Sequence, residues 1–411
     1  MRRHIGAAAG QGIAFALQLC MVAYIARALG PGVQGEFATL RSVVFVGEAL
    51  IWLGLNSGTS YLIAKDPLRY LKSLVRVSLW HLLVGCLAVL FVGLVAGRYA
   101  PRSHWMMDLL RAHLLGTVSW LFFQGTLQLT VRTLLATRLY YWANVVSSSN
   151  AGIGLLLVLL LPGSLNLEAA INSQIMASVI SSLFGAFLIR RKSGHFSLVR
   201  GLTMGDWTSA LRAGTNGLVS TMAFMALYRI DLLLVATFCD KRTSGIYAVA
   251  SFATEALQRS ADWFAAVLTP LVASNETDGH REARRNSLVG VGIVLAGVLA
   301  CSGAIMAGLN PFTLGLGTEF SGSATFALAL LPKACIHCVM VSYAAVLAGR
   351  GYTIYHPMSG GAAVAVLIIL GITFGPVLGP GGVIISLTAA YLVAAAIMII
   401  GVRKTRYVHG A

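Results

Sequence analysis

A chain of 411 residues that is 57% hydrophobic and only 11% charged is too apolar for a soluble domain, in which about a quarter of residues carry charge. The apolar residues fall in repeated runs long enough to span a bilayer, so the sequence describes an all-α polytopic membrane protein. A formal charge of +16 would suit nucleic acid, but Lys and Arg sit in short loops beside apolar runs, which excludes that partner and makes them topology signals.

In chain order, runs bounded by charges, Gly or Pro predict about twelve spans: 5–28, 34–55, 72–96, 108–131, 140–161, 167–189, 208–237, 245–273, 286–308, 321–348, 355–375 and 380–402. The first keeps Arg2 and Arg3 before an apolar stretch too long for a cleavable signal, and is read as a retained helix. Twenty of the 30 Lys and Arg residues fall on one side of this arrangement and six on the other, which puts both termini in the cytoplasm. The polar connector from Arg190 to Trp207 divides the chain into an N-terminal six-helix bundle over 1–190, a cytoplasmic linker over 191–207 and a C-terminal six-helix bundle over 208–411. The halves echo each other: Gly35-Glu36-Phe37-Ala38 opens span two and Gly245-Ile246-Tyr247-Ala248 opens span eight. Both second helices then carry charge at helical spacing, Arg41 with Glu48 in one and Glu255, Arg259 and Asp262 in the other. Two six-span halves keep the same orientation, the parallel repeat related by a pseudo-two-fold axis along the membrane normal.

The segment from Tyr228 to Pro270 carries the most charge for its apolarity, with Arg229, Asp231, Glu255, Arg259 and Asp262 inside it. Each would cost roughly 2.5 to 3.5 kcal/mol at the centre of a spanning helix, so these side chains must pair or face water. Glu255, Arg259 and Asp262 lie at i, i+4 and i+7, within roughly 60° on one helix face. A self-neutralising Glu255–Arg259 bridge is one reading and the lining of a hydrated cavity the other. Counting inward from the outer edge at 1.5 Å per residue puts Arg41 and Asp231 at roughly 10 Å and Arg229, Glu255 and Lys333 at roughly 13 to 15 Å. Glu48, Arg259, Asp262 and His337 then lie at roughly 20 to 25 Å. Equal depth suggests Arg229 with Glu255, Arg41 with Asp231 and Glu48 with Arg259, leaving Lys333 and His337 without an acid.

Arg27-Ala28-Leu29-Gly30-Pro31, Gly35-Glu36-Phe37 and Gly54-Leu55-Asn56-Ser57-Gly58 resemble the opening of polysaccharide transporters of the Wzx-type flippase family. That family belongs to the superfamily that also holds multidrug extruders and the lipid II flippase. Arg229-Ile230-Asp231, Gly245-Ile246-Tyr247 and Thr269-Pro270-Leu271 resemble the start of its second half. The resemblance implies two bundles, V-shaped around a central cavity. It also implies passage of an undecaprenyl-pyrophosphate-linked oligosaccharide, such as an O-antigen or other polysaccharide repeat unit, from the cytoplasmic to the periplasmic leaflet of a bacterial inner membrane. A polysaccharide polymerase or chain-length regulator would then be a partner, and of the charged residues only Arg229 and Asp231 carry over from the matched motifs.

An anionic pyrophosphate is suited by Arg forks and a Lys point charge, which makes Arg41, Arg229, Arg259 and Lys333 the substrate-binding candidates. Glu48, Asp231, Glu255, Asp262 and His337 are candidates for charge pairing or ion coupling. Lys333 is read as part of the site or as a snorkelling structural residue, and His337 as a hydrogen-bonded helix residue or a proton carrier. Cys335-Ile336-His337-Cys338 has metal-like spacing but lies in an apolar span with no second pair, so no metal is expected, and no cofactor. A multidrug or cation extruder would favour acids in its lumen. A polytopic glycosyltransferase or polymerase would need a larger outer loop, so the chain is read as a transporter and not an enzyme.

Overall fold

The computed structural model describes residues 2–52, 55–99, 104–160, 165–193, 227–273, 279–306 and 310–408, with 208, 209, 211 and 223 between them. Most of the expected linker, 194–207, and most of the first part of the span expected at 208–237 lie outside the described residues.

The chain divides into two compact units, Met1–Leu29 with Glu36–Met225, and Gly30–Gly35 with Ala226–Ala411. The N-terminal unit is built from α1 (Arg2–Trp52), α2 (Leu55–Lys65), α3 (Pro67–Tyr99), α4 (Trp105–Ala112), α5 (Leu114–Ala136), α6 (Tyr140–Leu159) and α7 (Leu167–Ser193). The first two expected spans are the two arms of α1, which breaks at Gly30 with φ 74° and ψ 173°. Such a φ strains any residue with a Cβ, and Pro31 then restarts the helix where a missing N–H does no harm. The core lies where α5 packs on α3 and α7, with Trp120 stacked on Phe37 at 5.6 Å and Leu82, Leu121, Leu127 and Val146 buried around them.

The span expected at 108–131 is two helices instead. α4 is capped by the His104 ring, which accepts from the Met106 amide, and carries an exposed Asp108–Arg111 ion pair of 3.1 Å. His113, at φ −114° and ψ 19°, leaves the helical region, so the span proper starts only at Leu114.

The C-terminal unit holds α8 (Ile230–Phe238), α9 (Lys241–Ala273), α10 (Gly279–Met306), α11 (Pro311–Leu316), α12 (Ser323–Ala329), α13 (Leu331–Gly349), α14 (Tyr355–Leu378) and α15 (Pro380–Val408). The uninterrupted span expected at 321–348 breaks at Leu330, because Pro332 has no N–H for the preceding turn and its ring crowds the carbonyl four residues back. α13 is the centre of this unit, packed by α9, α10 and α15, with Ala334, Cys338, Val346 and Leu347 buried. Gly371 and Gly375 of α14 lie so near Leu234 and Phe238 of α8 that a Cβ at either would stand 2.6 Å or less from the facing side chain.

The short piece of α1 in this unit, Gly30–Gly35, lies backbone to backbone on the start of α9. A Cβ on Gly35 would overlap the Lys241 carbonyl oxygen, and one on Gly245 the Pro31 carbonyl oxygen. Each such Cβ would also stand 2.9 Å from the other glycine's amide nitrogen. The two glycines of the internal sequence echo are therefore one crossing point.

Among the described residues seven stretches are long and apolar enough to cross a membrane, the first of them spanning the break in α1. α9, at 33 residues, is longer than most of these and is not among them, because its middle carries Glu255, Arg259 and Asp262.

Candidate functional site

The charges of the C-terminal unit form a connected set on α9, α13 and the segment leading into α8. Arg229 stands at the N-cap of α8, and its guanidinium makes a two-pronged bond to the Glu255 carboxylate, at 2.6 Å and 3.1 Å. The pair is buried, with side chains 8% and 2% exposed, and Arg229 also lies over the Phe252 ring at 5.3 Å. Two parallel bonds fix both distance and plane, which a Lys in the same place could not do. This is the pairing that equal depth suggests.

The other two pairings suggested by depth would join residues of different units; within its own unit each of these charges has a partner as follows. Asp231 accepts a 2.7 Å bond from the Tyr247 hydroxyl and one of 2.8 Å from the Leu232 amide. It also interacts electrostatically with Lys333, which is 1% exposed and stands 5.5 Å from the Tyr391 ring centre. Lys333, expected to lack an acid, therefore has Asp231 before it. Arg259 pairs with Asp262 at 3.7 Å, one turn along its own helix. Glu48, buried in the N-terminal unit, interacts with Arg132 of α5, and Arg41 donates to Gln18 at 3.5 Å. Depth along the membrane normal is blind to direction around each helix, and that direction decides these partners.

His337 also has an acid. Its Nε2 lies 3.0 Å from Asp262 and 3.2 Å from the Tyr228 hydroxyl, and its ring meets those of Tyr228 and Tyr391 edge-on. Tyr228, Tyr247 and Tyr391, which sequence reasoning did not single out, are the groups that join the charges. Only Tyr247 left a trace, inside the echoed Gly-x-x-Ala opening of α9.

Two features distinguish the outer part of this network from its centre. Arg229, Glu255, Asp231 and Lys333 are closed within the unit, whereas the Arg259 side chain is 40% exposed and that of Asp262 26%. The stripe also extends beyond its charges: Ser251, Glu255, Gln258 and Asp262 lie at i, i+4, i+7 and i+11 on α9. The Ser251 hydroxyl and both amide atoms of Gln258 are buried with no hydrogen-bond partner among the described residues. Cys335 and Cys338 are free thiols, and no group of three or more His, Cys, Asp or Glu that could hold a metal occurs among the described residues.

The coupling of Lys333 to Asp231 is testable apart from any activity. A double-mutant cycle on thermal unfolding with Lys333→Met and Asp231→Asn should give an interaction energy of about 0.5 to 3 kcal/mol, the double variant being less damaged than the sum of the singles. Strict additivity would mean that the two groups do not sense each other.

Comparison with known proteins agrees with this architecture. An inward-facing multidrug resistance MATE family transporter of the MOP superfamily superposes with a TM-score of 0.75 at 16% identity, covering 97% of this chain and 96% of that one. The lipid II flippase MurJ, in an inward closed conformation, superposes at 0.79 and 14%, covering 97% and 87%. A MOP superfamily transporter from Pyrococcus furiosus, described as having a binding pocket of reversed polarity, gives 0.63 and 15%, covering 98% and 95%. At these identities the likeness establishes the fold, that of membrane transporters with twelve helices in two bundles. No curated protein sequence matches the chain. The profile of one family, polysaccharide biosynthesis protein, matches residues 5–276, about two thirds of the length. The chain belongs to the polysaccharide biosynthesis protein family.

Proposed function

We propose that the protein is a flippase that carries a polyprenyl-pyrophosphate-linked oligosaccharide, a repeat unit of O-antigen or a related polysaccharide, from the cytoplasmic to the outer leaflet of a bacterial inner membrane by alternating access. The family and the fold support transport in polysaccharide biosynthesis, and the exposure of Arg259 carries the reading further. A guanidinium 40% exposed midway along a 33-residue helix cannot face hydrocarbon, so it faces water or a polar cargo. The Gln258 amide and Ser251 hydroxyl on the same stripe, which have no hydrogen-bond partner among the described residues, are groups a glycan or its water could satisfy.

In this reading Arg259 contacts the pyrophosphate. Arg229 and Lys333 act from inside the unit: the first holds Glu255, and the second keeps positive charge beside Asp231. Three bases, Arg229, Arg259 and Lys333, face three acids, Asp231, Glu255 and Asp262, so the network is formally neutral and an anionic cargo is held by the local charge of Arg259 rather than by a net positive site. A bound anion that interacts differently with two arrangements of the transporter shifts the balance between them, which is all alternating access requires.

The test is a leaflet-resolved flipping assay in proteoliposomes with a fluorescent polyprenyl-diphosphate oligosaccharide. Arg259→Ala should lower the rate at least about tenfold, the loss of one charged hydrogen-bonding group at about 1.5 to 3 kcal/mol, with protein level unchanged. Arg259→Lys should recover part of it if charge dominates and little if fork geometry does. Wild-type flipping by Arg259→Ala would remove the phosphate from this part of the site.

Both termini are proposed to be cytoplasmic. In cells carrying a cysteine-free background, an impermeant thiol reagent applied from outside should label Arg242→Cys, before the first full turn of α9, but not Arg191→Cys near the end of α7. The opposite pattern would invert the topology.

A further inference from the structure

A groove of about 320 Å³ lies on the N-terminal unit between α3, α5 and α7, open along one side and almost wholly apolar. Its walls include Val75 and Leu79 of α3, Phe123 and Thr130 of α5, and Leu183 and Ala186 of α7. The hydroxyls there offer little to a polar ligand. Those of Thr126, Thr130 and Thr133 donate to the carbonyls of Phe123, Thr126 and Leu129 at 2.7 Å, 2.8 Å and 2.7 Å, spending their protons on their own helix. A sugar would find almost no donors, whereas a hydrocarbon would find a continuous wall.

The groove has a charged end. On α7, Val179, Leu183, Ala186 and Arg190 lie at i, i+4, i+7 and i+11, so an exposed arginine continues the apolar face beyond the groove, and Arg191 follows it. Arg76 on α3 and Arg132 on α5 are not part of the lining, and Arg132 is engaged by Glu48, so Arg190 is the base that the helix face places at this end of the groove. Along α7 the lining runs from Val179 to Ile189, about 15 Å, half of the roughly 30 Å hydrocarbon core. One leaflet's depth of apolar wall, with cations at the interfacial end, is complementary to a single chain attached to an anionic head.

We propose that this groove binds the isoprenoid chain of a polyprenyl diphosphate on entry, with Arg190 beside the diphosphate at a step that precedes its contact with Arg259. The inference rests on the flippase reading and deepens it: the lipid part of the cargo rides on the N-terminal unit, on α3, α5 and α7. A branched isoprenoid fits a fixed groove whose walls are Leu, Val and Phe, and a volume at the lower end of ligand pockets holds one segment of such a chain rather than several acyl tails.

The experiment uses the full chain in proteoliposomes with a polyprenyl diphosphate bearing a diazirine on an isoprene unit near the head, and a diazirine-bearing phosphatidylglycerol as control. Crosslinked peptides are mapped by mass spectrometry. The polyprenyl probe should label α3, α5 and α7 saturably, competed by unlabelled polyprenyl diphosphate. Ala186→Trp and Leu183→Trp, which fill the groove from its exposed side and leave the core untouched, should each lower that labelling at least about fivefold, as should Arg190→Glu. Equal labelling of the groove by phosphatidylglycerol, insensitive to the competitor, would show ordinary bilayer lipid there and overturn the proposal. Saturable labelling confined to other helices would overturn the groove and leave the flippase reading standing. No saturable binding of the polyprenyl probe anywhere would overturn both.

Discussion

Glu255→Ala is expected to destabilise the protein by about 3 to 5 kcal/mol, since it leaves the Arg229 guanidinium buried with its two-pronged partner removed. Arg229→Ala should do the same from the other side. The damage comes from the uncompensated charge rather than from a net gain made by the pair, because bringing both ions out of water is itself costly. The double variant Arg229→Met, Glu255→Leu should therefore unfold at a temperature closer to wild type than either single change. Thermal unfolding in detergent measures this directly. A double variant as unstable as either single would mean that the pair contributes net stability and is not merely a hazard when half removed.

Gly245→Ala is expected to be as severe, though its methyl is small and its helix propensity better. The added Cβ would overlap the Pro31 carbonyl oxygen, and a carbonyl in a helix cannot turn aside as a side-chain end can. The two backbones must separate, at about 3 kcal/mol or more for overpacking of this kind. Gly35→Ala should match it, since its Cβ meets the Lys241 carbonyl at the same crossing. Gly381→Ala, where a Cβ meets nothing within 4 Å, should be silent and serves as the control. Normal unfolding of Gly245→Ala would show that the crossing is looser than its backbone contacts require.

The span pattern was legible because apolar runs and their breaks follow from bilayer thickness alone. It failed where a break depended on local chemistry: Pro332 inside an apolar run, and His113 after a short amphipathic helix. The echo of Gly35 and Gly245 marked a physical contact, although sequence could give only the repetition and not the meeting. The acidic and basic residues of the candidate network were also legible, since charge in an apolar helix must be satisfied. Within the C-terminal unit, the partner legible in the sequence was that of Arg229, Glu255. Depth says how far along the membrane a group lies, but Tyr247, Tyr228 and His337 are selected by helix rotation and by packing between α8, α9, α13 and α15. The groove on α3, α5 and α7 left no sequence signal at all, because its lining is made of the Leu, Val, Phe and Thr that any span contains.

The proposed activity is movement of a glycan attached to a polyprenyl diphosphate from one leaflet to the other. Purified protein in liposomes with a fluorescent polyprenyl-diphosphate oligosaccharide in both leaflets, quenched by an impermeant reductant from outside, tests it most directly. Quenching should go beyond the half expected of a static bilayer, at a rate that rises with protein density and falls in the Arg259→Ala variant. Quenching that stops at half with correctly folded protein, whatever the density or driving gradient, would contradict it.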